Sequence, residues 1–171
     1  MPTADYLGMP LNISELDREN LAYFSHCAEH SYHLQNCDGC SLVRYPPTTA
    51  CPWCMAEAAT WVPVEGRGTV HSYTEVRHAI QPAFREHVPY LTLLVELDHQ
   101  QGKPTLNEAL RVIGNLVTAD GQLAGPEAVA AVGIGSRVRM VFTDVADGLS
   151  VPNWTLDKDA DQPAAPWRYP E

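Results

Sequence analysis

The spacing of hydrophobic positions changes near residue 34. Before it, Leu21, Phe24, Ala28 and Tyr32 recur at intervals of three and four, which places them on one face of a helix. Ser14, with Asp17 three residues on, is a weak form of the capping box and predicts that the helix starts there, after an irregular lead. Such a face needs a surface to pack on, and the sequence leaves open whether that surface belongs to this chain or to another protein. From Leu34 onward the apolar residues come in short runs separated by Gly, Pro and Asp. Strands are predicted at 43–45, 60–62, 69–76, 90–97, 111–117, 137–143 and 149–151, in segments rich in β-branched and aromatic residues.

The later strands fit a small closed barrel. Gly66 and Gly68 precede the first long strand and Gly114 interrupts another, which suits the tight bends or bulges of a closed five-stranded sheet. Between residues 118 and 133, Pro126 opens a short helix that Glu127 to Ala131 continue. A helix between the third and fourth strands is the arrangement of an oligonucleotide/oligosaccharide-binding (OB) barrel. The stretch from Thr155 is rich in Asp, Pro and Ala and reads as an extended tail.

Cysteine spacing adds chemistry to this frame. Cys37-x-x-Cys40 is followed ten residues later by Cys51-x-x-Cys54, and Cys27 stands apart. A Cys-x-x-Cys turn presents two sulfurs to one metal, and four thiolates suit zinc in a structural site. With Pro46 and Pro47 in the connection, the two turns describe a short zinc ribbon. It is too small for a core of its own, so metal binding, roughly 10–16 kcal/mol in comparable modules, is expected to supply most of its folding free energy. Iron, as in a rubredoxin, would take the same four ligands. Filled by four protein thiolates, the metal has no open position and is read as structural. The expected architecture is mainly β: an N-terminal helical segment (1–33), a rubredoxin-like zinc ribbon (34–62), a five-stranded OB-fold barrel (63–154) and an extended acidic tail (155–171).

Other candidates are weaker. His26, His30 and His33 stand at i, i+4 and i+7; they could share a helical face and bind a second metal, but without an acidic ligand in register they read as a solvated stripe opposite the apolar face. Cys27 lies near that apolar face and is expected to be a small buried hydrophobe rather than a nucleophile. No hydrolase elbow, phosphate loop or metalloprotease helix is present in the sequence.

Composition narrows the class of partner. The chain has 171 residues, 45% of them hydrophobic, and 11 Lys+Arg against 21 Asp+Glu give a net charge of −10. Only Lys103 and Lys158 are lysines, so a long polyanion such as DNA or RNA is disfavoured. The acidity is uneven: residues 1–36 hold five acids against one base, whereas residues 37–141 hold ten against eight. A single CoA, which needs only a few arginines, is therefore compatible with the barrel. No apolar run approaches the ~20 residues that span a bilayer, and the first eight residues lack the features of a signal peptide, so no membrane partner and a reducing, cytoplasmic location are expected.

One order of motifs is more specific than any of these. A leading helix, Cys37-x-x-Cys40, Arg44-Tyr45-Pro46-Pro47, Cys51-Pro52-x-Cys54, Trp61, Gly66-x-Gly68, Pro89-Tyr90 opening a strand that ends Glu96-Leu97-Asp98, and Gly148 before a strand ending near Pro152 follow one another. From about residue 20 to 154 this resembles the zinc-ribbon plus OB-fold proteins, long catalogued as a domain of unknown function, that accompany thiolases and other acyl-CoA enzymes. The sequence departs from the usual form in a longer 98–110 loop, a longer 118–131 segment and the acidic tail. The resemblance implies a non-catalytic subunit of a hetero-oligomer that supports assembly and borders an acyl-CoA channel, beside a thiolase-like acyltransferase, thiolase or retro-aldolase. A hotdog-fold acyl-CoA hydratase is the alternative partner. A stand-alone single-stranded nucleic-acid-binding OB protein is the alternative of a different class. On this reading the ribbon, with Trp53 at its tip, and the helix would dock on the catalytic subunit; Trp53 could equally pack on its own hairpin. Arg67, Arg77, Arg85 and Arg111 are candidates for CoA phosphates, and Phe84 for an acyl pocket.

Overall fold

A computed structural model describes residues 4–99, 105 and 108–170, so most of the 98–110 loop lies outside the described residues. The lead is not irregular. It is a hairpin of β1 (Ala4–Tyr6) and β2 (Met9–Leu11), turned by Leu7 and Gly8 at positive φ, with the Asp5 carboxylate accepting the Gly8 N–H at 2.6 Å.

Helix α1 (Arg18–Ala28) begins later than the capping box implied. Ser14 instead closes the preceding turn: its carbonyl accepts the Asp17 N–H and its hydroxyl the Leu16 N–H. Asp17 is the cap, accepting the Asn20 N–H at 3.1 Å and the Asn20 side-chain amide at 2.6 Å. The helix ends in a Schellman turn, with Ser31 N–H bonded to His26 O and His30 N–H to Cys27 O, and His30 at φ 52° in the place usually held by glycine. The face it buries also differs from expectation. Tyr23 and Cys27 face inward, while Leu21 and Phe24 of the apolar pattern stay partly exposed.

A strand, β3 (His33–Cys37), follows at the start of the ribbon, where no strand was predicted before residue 43. It lies between β4 (Val43–Arg44) and β5 (Ala59–Pro63) in a three-stranded antiparallel sheet that carries the cysteines. Arg44 is buried here, its Nε donating to Gln35 Oε1 at 3.0 Å and its Nη2 to Thr48 O at 3.1 Å.

The barrel is built from β6 (Arg67–Val76), β7 (Tyr90–Leu97), β8 (Arg111–Asn115), β9 (Arg137–Ala146) and β10 (Leu149–Leu156), in the sheet order β10-β9-β6-β7-β8. Helix α2 (Pro126–Ala131) lies between β8 and β9, as the sequence indicates. A bulge at His71 bends β6, and the sheet closes where Leu116 bridges Trp154 in parallel and Val117 N–H donates to Trp154 O at 2.8 Å. Gly114 permits this seam, since a Cβ there would lie 2.9 Å from the Trp154 ring. The last strand runs to Leu156 rather than stopping at residue 151. Its register with β9 runs from Ser150 through Pro152 to Leu156, after an irregularity at Leu149.

One continuous hydrophobic core joins Tyr23, Cys27, Tyr32 and Leu34 of the helix and ribbon to Leu91, Leu93, Val95, Val112 and Trp154 of the barrel. The inward face of α1 thus packs within this chain. The C-terminal stretch also lies on the barrel: Trp167 and Ile134 exchange backbone hydrogen bonds, and a Cβ on Gly133 would fall 2.4 Å from Trp167 O.

Candidate functional site

The two cysteine knuckles share one construction. In the first, Ser41 N–H donates to Cys37 O at 2.8 Å; in the second, Met55 N–H donates to Cys51 O at 2.9 Å. Ser41 (φ 60°) and Met55 (φ 64°) both adopt left-handed backbone one residue past the second cysteine, which turns each chain away from the sulfurs. The four Sγ atoms lie within 4.8 Å of one another, with Cys37 to Cys54 at 3.5 Å and Cys40 to Cys51 at 3.6 Å. A tetrahedral zinc with Zn–S of about 2.3 Å requires sulfurs about 3.8 Å apart. The cluster therefore has the spacing and donor chemistry that a single tetrahedral metal needs. Backbone N–H groups of Cys40 and Gly39 lower the Cys37 thiol and those of Cys54 and Trp53 help lower Cys51, while their sulfur neighbours raise Cys40 and Cys54, so the four sulfurs share protons that a bound metal would displace. Cys37 and Cys51 are buried and Cys54 reaches the surface.

The three histidines do not join this centre or make another. Because α1 stops at Ala28, they lie neither on one helical face nor in a solvated stripe. His26 stacks on His33 of β3 with ring centroids 4.2 Å apart and leans on Trp61, whereas His30 stacks on Phe142 of β9 and bonds Asp144 Oδ1 at 2.7 Å. Burial, followed by the His33 charge, lowers the His26 pKa. Among the described residues the four cysteines are the one group of three or more His, Cys, Asp or Glu placed to hold a metal. Cys27 is fully buried, and its thiol is pushed up to about 12 by burial, which suits a packing role.

The arginine candidates are dispersed. Arg67 and Arg111 lie toward one end of the β6–β7–β8 sheet, and Arg77 and Arg85 follow its other end. Arg67 lies 3.4 Å from Glu65 and 3.5 Å from the buried Asp157, Arg77 lies 3.0 Å from Glu75, and Arg111 makes 3.1 Å contacts to Glu96. Arg85 follows the 3-10 turn Pro82–Phe84 and has no carboxylate partner among the described residues. Phe84 packs between Tyr6 of the hairpin and Tyr90 of β7, with centroids at 5.8 and 5.2 Å. At the ribbon tip Trp53 is 38% and Met55 74% exposed.

The outward side of β7 and β8 shows Thr92 bonded to Asn115, Glu96 bonded to Arg111, and Leu94 opposite Ile113, with Tyr90 the one aromatic at its end. Single-stranded nucleic acid is bound by aromatic platforms along a cationic groove. This face is small, mixed and charge-balanced.

Comparison with known proteins places the barrel. Residues 61–143 match the family model described as "ChsH2, C-terminal OB-fold domain". The five-stranded barrel is an OB fold. A chain of the Ltp2–ChsH2(DUF35) aldolase is similar over 84% of this protein and 98% of that chain, at 27% identity and a TM-score of 0.64. A protein of unknown function from the DUF35 family of Sulfolobus solfataricus shares the fold, at 13% identity and a TM-score of 0.51 over 82% of this chain and 86% of that one. Among curated proteins, a probable enoyl-CoA hydratase alpha subunit from Thermomonospora curvata is 32% identical over 102 residues, 60% of this chain. That match spans 28% of the relative's length. The expected OB fold is thereby met, and the likenesses are to a chain of an aldolase and to part of a hydratase subunit.

Sequence reasoning missed one organising group. Arg168 in the tail donates to Val129 O and Val132 O at the end of α2 and to Glu75 Oε2 at 2.6 Å, and lies over the Tyr73 ring. The signal was present in the run Trp167-Arg168-Tyr169, whose aromatic and basic residues set it apart from the Pro, Asp and Ala around it.

Proposed function

We propose that this protein is a non-catalytic, zinc-binding subunit of a thiolase-type acyl-CoA enzyme, supporting its assembly and bordering the path of the CoA ester. The observation that carries the reading is the likeness to nearly the whole of a chain from the Ltp2–ChsH2(DUF35) aldolase. The chemistry of the chain agrees: four thiolates leave a metal no open position, and the remaining cysteine, Cys27, is buried with a raised pKa. A reducing cytoplasm would keep the four thiols free to bind zinc. Among the arginines, Arg85 is the best placed for a CoA phosphate, because Arg67, Arg77 and Arg111 would have to exchange a carboxylate for it. Phe84, partly exposed between Tyr6 and Tyr90, is the acyl-chain contact on this reading. The mixed face of β7 and β8 disfavours the nucleic-acid alternative.

A second reading, partnership with an acyl-CoA hydratase, is favoured by the 102-residue match to a probable enoyl-CoA hydratase alpha subunit. Purification from the native host through a cleavable tag, with mass spectrometry of the bound chains and metal analysis, separates the two. A stoichiometric thiolase-fold chain and one zinc per subunit are expected. A hotdog-fold chain in its place would transfer the assignment to the second reading, and a coloured iron centre would overturn zinc.

A further inference from the structure

The helix carries more apolar surface than the chain covers. Tyr23 and Cys27 fill the core, but Leu21 and Phe24 stay partly exposed and, with Leu11, Ile13 and Leu149, line a groove of about 160 Å3 between the N-terminal arm, α1 and the β9–β10 turn. Asn12, Ser25 and Gly148 complete its lining, so the groove is half open and mixed, with room for about one side chain. Leu16, just before the helix, is 93% exposed.

Charge around the groove restricts what can fill it. Glu15 follows the arm, Asp147 adjoins the turn residues Gly148 and Leu149, and Glu29 stands one helical turn beyond the lining residue Ser25. All three carboxylates are exposed and carry no ion pair among the described residues, and Arg18 is the one Lys or Arg in the first 36 residues. Asp144, further along the same turn, is already occupied by His30 and Ser150. An anionic ligand such as CoA or a fatty acid head group would be repelled here, and a second copy of the chain would set acid against acid. A cationic segment with an apolar anchor meets both features.

We propose that this groove seats an apolar side chain, flanked by lysine or arginine, from an amphipathic segment of the catalytic subunit. The inference rests on the assembly role proposed above and locates one of its contacts. The complex recovered from the native host supplies the purified catalytic subunit as the probe. Two variants are titrated against it: Leu21→Lys, which puts a cation into the groove, and the exposed double reversal Glu15→Lys/Asp147→Lys, which leaves the core untouched. Zinc content and thermal midpoint serve as folding controls.

Each variant is expected to weaken the Kd by about tenfold or more, the effect of losing one anchor or its steering charges. Wild-type binding should weaken with added salt, and the double variant should lose most of that dependence. A benzophenone cross-linker at position 16 should capture a peptide of the catalytic subunit that holds an apolar residue among basic ones. Unchanged Kd values for both variants while the wild type binds would overturn the groove alone, as would cross-linking to an acidic segment. If the wild type binds no thiolase-fold or hotdog-fold chain, the assembly role fails and the groove's occupant with it.

Discussion

Arg137, at the start of β9, reaches over β6 to the end of β7: its Nη1 donates to Thr69 Oγ1 at 2.8 Å and to Asp98 Oδ1 at 2.7 Å, and its Nη2 contacts the second Asp98 oxygen. Hydrogen bonding by Arg137 holds the Asp98 carboxyl below its ordinary range. A carboxylate with a lowered folded-state pKa stabilises the fold above its unfolded value of about 3.9, and the contribution is lost as pH falls through the folded value. Asp98→Asn should therefore cost stability at neutral pH, by about 0.5–1 kcal/mol because the carboxylate is half open to solvent. Urea titrations of the two proteins should converge below pH 4. Single residues also explain where the sequence misled. His30, Ser41 and Met55 occupy left-handed positions that a reader expects glycine to mark, so the helix stop and the left-handed residue that closes each knuckle carry no visible sign. Where glycine did stand at a constraint, as Gly114 does under Trp154, the bend or close approach was legible.

Elements were legible in proportion to the regularity of their burial. Strand β7 alternates partly exposed and buried residues along its whole length and was located to the residue. Strand β3 does not alternate: both Leu34 and Gln35 are buried, Gln35 because its side chain holds Arg44 and Thr48, and a buried polar side chain is silent to a hydrophobic pattern. The cluster of four cysteines was fully legible, because Cys-x-x-Cys spacing encodes the turn itself. The ribbon should consequently behave as a metal-dependent element. Chelation should abolish hydrogen-exchange protection at the Ser41 and Met55 amides while the β7 and β9 amides stay protected, and zinc should restore it. Because protons compete for the thiolates, the same loss should appear on acidification.

At the scale of the whole molecule, residues distant in sequence set the boundaries of the fold. Beyond Leu156 the described tail holds turns and a single β-bridge, yet Arg168 caps the carbonyls at the end of α2 and ties them to Glu75 of β6, while Tyr169 N–H donates to the Tyr73 hydroxyl at 2.9 Å. Composition describes the local chain and says nothing about a staple made between residues 75 and 168. Arg168→Ala should lower unfolding stability by about 1–3 kcal/mol, the cost of leaving partly buried carbonyls and a carboxylate without their donor. The measurement is a shift in denaturation midpoint at unchanged slope, with earlier proteolysis of the tail.

The packing of α1 has a consequence for synthesis. The helix makes its most extensive contact with β10, and the barrel seam is formed by Trp154 of the same strand. During translation the ribbon has all four ligands once Cys54 leaves the ribosome, but α1 must wait for Leu149–Leu156 to emerge before its inward face is covered. Through that interval the nascent chain leaves open the part of the helix that β10 later covers, a surface prone to misassociation until the last strand arrives.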